Sequence, residues 1–389
     1  MYMEITKTKT FQFALFASTS MTVLGSIVIA PAIPALEMHF LPQSIPNIDL
    51  LSRLILTLPA LFVMLFSPLS GFLLDKFGRI KFLIPAMYAW SIFGALGALW
   101  DNIYWILFTR AMFGIATAFV MTAASALVAD YYAGEDRQRA LSLQGFATAC
   151  GSATFMVIGG FLAHFGWRYP FVVYALGVLI ALLAAKLLFE PIRAQNSLED
   201  YEDGEFKILP LVPIYFLGFF VMVTYYISPT QIPSFMIYNL EIKEVYVGVG
   251  MSASAIFYGL ASLSYQRLRK FFSIALIYGV GFLLMGVGFL LIFYFHSFYM
   301  VLLALVLFGI GGGPIIVNNI STLIANTNPK HRAKTLGILS AVIYFGQFVS
   351  PLLSQPFVRE FDITYLFMAA GLFLLCLSPI SYYIGSHYH

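Results

Sequence analysis

The stretch GFLLDKFGRIK, residues 71–81, places four charges in eleven residues of a chain that is 10% charged overall. It separates two long apolar runs and contains two glycines. A charged, glycine-bearing turn between oily segments is what a chain needs where it leaves a membrane and re-enters it.

Composition sets the same frame. Of 389 residues 60% are hydrophobic, 39 are Phe and 23 are Tyr, and mean hydropathy is +0.88. Soluble domains carry about 25% charged residues. A hydrocarbon core of about 30 Å takes about 20 apolar residues per helix. Twelve such stretches are read, at roughly 11–36, 50–74, 80–99, 103–129, 138–163, 169–189, 209–236, 246–265, 272–294, 297–323, 334–357 and 363–385. Pro210, Pro213, Pro229, Pro233 and Pro379 interrupt two of them. Membrane helices tolerate proline where neighbours or waters satisfy the freed carbonyls. The expected fold is an all-α membrane protein with twelve transmembrane helices.

Cys150 and Cys376 fall inside apolar runs, which points to packing rather than to a disulfide or a metal site. The first apolar run is too long for a cleavable signal and leads into another span. With the N-terminus inside and twelve spans alternating, sixteen of the 21 Lys and Arg fall on the inner side. The exceptions are Arg53, Arg110, Arg168, Lys243 and Arg359. That bias orients the chain with both termini cytoplasmic and makes residues 71–81 a cytoplasmic turn.

The segment PIRAQNSLEDYEDGEFKILP (191–210) is the one soluble-looking stretch, with Glu199, Asp200, Glu202, Asp203 and Glu205. It reads as a solvated linker, residues 191–208, between halves at 1–190 and 209–389. The halves repeat. FGIATAFVMTAASALVADYYAGEDRQRA (113–140) is similar to FGIGGGPIIVNNISTLIANTNPKHRAK (308–334), at a spacing of about 195 residues. GLASLSYQRLRK (259–270) is the degraded partner of the opening stretch, keeping its glycine and basic residues and losing the acid. Six-helix repeats of this kind place a binding site near mid-membrane.

The chain resembles the major facilitator superfamily over its whole length: two pseudo-symmetric six-helix halves. The motif that carries the resemblance is Gly71, Asp75, Lys76, Gly78, Arg79 and Lys81 at the second inner turn. Gly71 is expected to let its helix approach a neighbour, and Asp75 to sit at a helix N-terminus, where the dipole favours an anion. Arg79 is placed to pair with Asp75 and with Asp130. The resemblance implies that this cluster latches the outward-open state from the inside. Topology alone would need the basic residues but neither Asp75 nor the glycines.

ILFTRAMFGIATA (106–118) resembles the fourth-helix signature of drug/proton antiporters through Arg110 and Gly114, with Phe113 where Gln is usual. An arginine inside a membrane helix costs several kcal/mol unless it faces a cavity or a partner. It is a candidate for proton coupling and for substrate contact, and snorkelling to water is the alternative. The fifth-helix signature keeps Gly145, Gly159 and Gly160 but has Phe155 and Met156 where Gly-Pro is expected.

All eighteen acids fall at span ends or in loops. A proton-coupled carrier needs a group that changes protonation between two accesses, and the candidates are Glu37 and the neighbours Asp49 and Arg53. The expected substrate wall is aromatic and polar without acids: Tyr225, Tyr226 and Gln231 in span seven, Asn318 and Asn319 in span ten, Tyr344 and Gln347 in span eleven. Glycines around Pro314 are expected to loosen span ten, and bonding between helices is the alternative role for the amides.

Gly311-Gly312-Gly313 lacks the Gly-Lys-Ser/Thr flank of a phosphate loop, and no HExxH, CxxC or nucleophile elbow occurs. No enzyme, metal or cofactor is expected, and no nucleic-acid partner. The reading is a monomeric integral protein of a bacterial cytoplasmic (inner) membrane, a proton-coupled exporter of amphipathic organic compounds. The alternative is an importer or facilitator of a small, anionic solute with Arg110 as counter-charge. A membrane sensor on a transporter fold is a third class, disfavoured because a sensor needs no latch.

Overall fold

The structure, a computed structural model, describes residues 6, 8–132, 134–191, 206, 208–328 and 331–388. The linker expected at 191–208 lies outside these apart from Pro191, Phe206 and Ile208, as do Lys7, Arg193, Lys207 and Lys330. The chain divides into two compact units, Met1–Gln195 and Asn196–His389.

In the first unit the helices are α1 (Lys9–Ile27), α2 (Ile33–Phe40), α3 (Ile48–Phe77), α4 (Ile80–Leu96), α5 (Ile103–Tyr131), α6 (Gly134–Ala163), α7 (Tyr169–Val172) and α8 (Leu176–Leu187). The first apolar run is therefore broken. A 3-10 turn at Ala30–Ala32, with Pro31 inside it, separates α1 from α2. Proline carries no N–H and cannot continue the helical ladder. α3 pairs along its length with α5, and α4 with α5. The core is built of Phe11, Phe113, Trp90, Phe171, Tyr174 and their neighbours.

The second unit holds α9 (Val212–Tyr225), α10 (Ile227–Tyr238), α11 (Glu244–Leu263), α12 (Tyr265–Phe271), α13 (Ile274–Phe295), α14 (Phe298–Ala325), α15 (Arg332–Phe361) and α16 (Ile363–Gly385). The proline-rich seventh run opens with a 3-10 turn at Leu209–Leu211 and breaks again at Tyr226. The twelfth run carries Pro379 inside one continuous helix.

Ten helical spans among the described residues are long and apolar enough to cross a membrane, two of them, Tyr169–Leu187 and Leu209–Tyr238, each divided between two helices. α4 is apolar but has 17 residues, and the first run is divided between α1 and α2. The structure thus holds an all-helical membrane fold.

The glycines of α14 do not loosen it as expected; the helix is unbroken from Phe298 to Ala325. A Cβ on Gly309 would lie 2.5 Å from the Ser254 carbonyl oxygen, and one on Gly313 2.5 Å from that of Tyr258, both in α11. Gly311 stands as close to Gly281 of α13. The missing side chains let three helix backbones meet.

Candidate functional site

Three polar clusters, and Arg110 apart from them, hold the residues singled out by sequence. The first is the 71–81 turn. α3 ends at Phe77, and Gly78 follows with φ +105°, a conformation that favours glycine. Arg79 then swings back to α5, where its Nη1 lies 2.6 Å from Asp130 Oδ2, both side chains mostly buried. That N–H is not directed at the oxygen, so the contact is an ion pair rather than a hydrogen bond. Two expectations are corrected. Asp75 occupies the closing turn of α3 rather than a helix N-terminus. The anion at the N-terminus of α4 is Glu190, whose carboxylate accepts from the backbone N–H of Arg79 at 2.7 Å and of Ile80 at 2.8 Å. Nor does Gly71 make a close approach: among the described residues nothing lies within 4 Å of a Cβ there. Asp75 and Lys81 are exposed.

The second cluster lies at the opposite end of α3. Arg53, 4% exposed, donates to Glu37 Oε2 at 2.9 Å and to the Asp49 carbonyl oxygen at 2.7 Å. Glu37 comes from α2, beyond the break after α1. The proline-driven break therefore brings a carboxylate to the guanidinium. Arg53 thus bonds both the main chain of Asp49, one turn away, and the side chain of Glu37. Nearby in sequence, His39 Nε2 lies 2.6 Å from Asp101 Oδ1, and Arg168 Nη2 donates to the same oxygen at 2.9 Å. The hydrogen bond from His39, with the Arg168 charge behind it, holds the Asp101 carboxyl below the usual carboxylate range. Sequence reading missed this clasp because its members come from three separate parts of the chain, the last turn of α2 and the connections before α5 and α7.

Arg110 stands apart from both clusters. It is fully enclosed. Its Nη2 donates to the carbonyl oxygens of Phe93, at 3.0 Å, and Gly94. These belong to the last turn of α4, whose final carbonyls have no partner within the helix. The rings of Phe113, Phe171 and Tyr174 stand 4.9, 4.9 and 5.1 Å from the guanidinium carbon. Gly94 and Gly97 make room for this cage, since a Cβ on either would fall within 2.5 Å of Tyr174 or Phe171. A guanidinium at the negative end of a helix, ringed by aromatic faces, is stabilised without a carboxylate. The snorkelling alternative is excluded by the enclosure.

The third cluster is in the second unit. Gln231 of α10 donates through Nε2 to Ser354 Oγ and to Gln355 Oε1 of α15, both at 3.0 Å, all three buried. Gln347 donates to Met222 Sδ at 3.8 Å. Tyr225 is half-buried, its hydroxyl 3.4 Å from Ser254 Oγ and its ring beside Tyr226 and Tyr258. Tyr344 is half-buried on α15. Asn318 and Asn319 bond to neighbouring helices. Asn318 accepts from Tyr265 at 2.8 Å and donates to the Ile274 carbonyl; Asn319 accepts from Tyr278 at 2.7 Å. Ser354 and Gln355 were legible only as two polar residues within an apolar run.

Comparison with known proteins reads this architecture directly. The sequence matches the profile of the Major Facilitator Superfamily over residues 15–222 and 214–386.

The chain belongs to the Major Facilitator Superfamily.

Among curated relatives of this Major Facilitator protein, Multidrug resistance protein 2 of Bacillus subtilis is 28% identical over 229 residues, covering 56% of this chain and 55% of that one. The multi-drug resistance efflux pump PmrA of Streptococcus pneumoniae is 30% identical over 180 residues, 43% of this chain and 45% of the pump. Quinolone resistance protein NorB of Staphylococcus aureus is 32% identical over 170 residues, 43% and 36% respectively. The matched segments thus span about half the length of these relatives, or less. Solved structures share the fold. A bacterial homologue of the human lysosomal transporter Spinster, inward-facing and occupied, gives a TM-score of 0.81 at 18% identity over 97% of this chain and 96% of that one. A D-xylose–proton symporter gives 0.76 at 17% over 96% and 97%.

Proposed function

We propose that the protein is a twelve-span secondary transporter that exports amphipathic organic compounds in exchange for protons, by alternating access. In this reading it works as a monomer in a bacterial cytoplasmic membrane, with both termini inside. The observation that carries the reading is the mostly buried Glu37–Arg53 pair. A carboxylate held by a guanidinium beside a helix break can exchange its partner for a proton when the surrounding segments move. That is the chemistry a proton-driven antiporter needs, and the multidrug resistance names of the sequence relatives point the same way.

The substrate surface we assign is Tyr225, Tyr226, Gln231, Tyr344 and Gln347. It offers half-buried rings backed by buried neutral amides, without a fixed charge, which suits amphipathic molecules of varied shape. Asn318 and Asn319 support the helices behind it. Arg110 is fully enclosed and bonds α4 through Nη2, which argues against its acting as the counter-charge that an importer of anions would use. Asp75, Gly78, Arg79, Lys81 and Asp130 form the cytoplasmic latch.

The test is accumulation of a fluorescent amphipathic dye in cells lacking their other pumps. Expression of the protein should lower dye accumulation, and a protonophore should restore it. Unchanged accumulation across a panel of amphipathic dyes would defeat the export reading. Lowered accumulation that resists the protonophore would defeat proton coupling.

A further inference from the structure

The end of α8 is fastened to the 71–81 turn by two consecutive residues. Tyr131, at the end of α5, grips the peptide of Phe189: its hydroxyl donates to the Phe189 carbonyl oxygen, and its oxygen accepts from the Phe189 N–H at 3.2 Å. The rings of Phe11, Tyr131 and Phe189 close around this grip, with centroids 5.0, 5.7 and 5.1 Å apart. The next residue, Glu190, reaches the turn. Each of its carboxylate oxygens accepts one backbone N–H, from Arg79 at 2.7 Å and from Ile80 at 2.8 Å. The side chain of Arg79, at the N-cap of α4, makes no capping hydrogen bond of its own. The cap that a Ser or Asp ordinarily supplies therefore comes from residue 190, more than a hundred positions away.

Arg79 is thereby held at two points, its main chain by Glu190 and its guanidinium by Asp130. Asp130 and Tyr131 are neighbours on α5, as Phe189 and Glu190 are neighbours after α8. The four form a closed loop of contacts around the turn. Gly78 belongs to it as well: a Cβ there would lie 3.2 Å from the Glu190 carboxyl, in a backbone conformation that side chains rarely adopt.

We infer that Glu190 is a positioning residue of the latch. It aims Arg79 at Asp130, and it ties the start of the segment joining the two units to the latch turn. This rests on the latch reading given above. Without the carboxylate, Gly78 leaves the backbone free to rotate, and Arg79 loses the fixed base from which it reaches α5. The chemistry is charge-assisted hydrogen bonding to a helix N-terminus, where an anion is favoured twice, by the N–H groups and by the dipole.

The experiment pairs amide exchange with a transport cycle, using the full-length protein in lipid nanodiscs and proteoliposomes. Bonds from N–H groups to a charged acceptor shift a local opening equilibrium by about tenfold to a hundredfold. In Glu190→Ala, exchange of the peptide covering residues 78–82 should accelerate by about tenfold or more. Glu190→Gln, which keeps an acceptor and the shape, should accelerate it by a smaller factor and is the milder variant should Glu190→Ala insert poorly. Transport should fall in Glu190→Ala and in Asp130→Asn, and the double variant should be no worse than the poorer single one.

Unchanged exchange in both Glu190 variants would overturn the inference, because the cap would then carry no weight. Accelerated exchange with transport losses that multiply in the double variant would overturn it too, since Glu190 would then act outside the latch. Should Asp130→Asn transport normally while exchange in Glu190→Ala accelerates, the latch reading itself has failed, and Glu190 is left as a helix cap alone. The exchange arm thus separates the failure of the inference from the failure of the latch.

Discussion

Neutralising Glu37 tests the pair on which the proposed coupling rests. At 2.9 Å and an effective dielectric of about 20, the Coulomb attraction of two unit charges is about 6 kcal/mol. The desolvation of Arg53, 4% exposed, offsets much of this, and Glu37 keeps 19% of its side-chain surface in contact with the surroundings. Removing one partner of a buried pair costs about 3–5 kcal/mol, because the other charge is left uncompensated. Glu37→Gln retains an oxygen that can accept from Arg53, so we expect about 2–3 kcal/mol. Arg53→Met removes the more deeply buried charge and leaves a carboxylate that can turn to water; about 1–2 kcal/mol is expected. The double variant has no charge to bury. It should lose about 1–2 kcal/mol in all, a coupling of about 2 kcal/mol. The assay is unfolding of the purified variants in mixed micelles titrated with SDS. Losses that add to within about 0.5 kcal/mol would refute the pairing.

Three further outcomes follow from the geometry. Arg110→Lys keeps the charge but not the planar fork that bonds two carbonyls and stacks among three rings; a loss of about 2 kcal/mol is expected in the same titration. Gly309→Ala puts a Cβ 2.5 Å from the Ser254 carbonyl oxygen and should cost about 1–3 kcal/mol by forcing α14 from α11, whereas Gly71→Ala, with open space beside it, should be tolerated. The Asp101 carboxyl is depressed by His39 and Arg168; its stabilising effect is present above the ordinary carboxylate range of about 4 and is lost as pH falls through its lower folded value. The thermal midpoint of wild type should therefore drop more steeply below about pH 4 than that of Asp101→Asn.

The fold was legible because a membrane imposes length and hydropathy on each span separately. The spans read at 50–74 and 103–129 could be found without knowing what they touch. The 71–81 turn was legible as a motif, and Arg79–Asp130 followed from it. Glu190 was not, because its partners are main-chain N–H groups, which leave no trace in the side-chain pattern. It reads in sequence as the last residue before a linker. The Glu37–Arg53 pair was half legible. Both residues stood out as charges at span ends, but their meeting depends on the break at Ala30–Ala32, which turns Glu37 toward α3. Arg110 was conspicuous, yet the cage that encloses it depends on Gly94 and Gly97 leaving space for rings from a distant helix. The same holds for the glycines of α14. A sequence displays their flexibility, while their use here is to let backbones touch. For Asn318 and Asn319 the sequence left substrate contact and helix bonding open, and the hydrogen bonds observed from Tyr265 and Tyr278 are of the second kind.

The central claim, that proton movement through Glu37 drives export, is tested most directly in proteoliposomes holding purified protein, with an amphipathic dye and an imposed pH gradient. Wild type should move dye uphill against its own gradient and stop when the pH gradient is collapsed. Glu37→Gln should still exchange dye across the membrane in counterflow yet accumulate none on the pH gradient. Uphill accumulation by Glu37→Gln, or a wild type that ignores the gradient, would contradict the account.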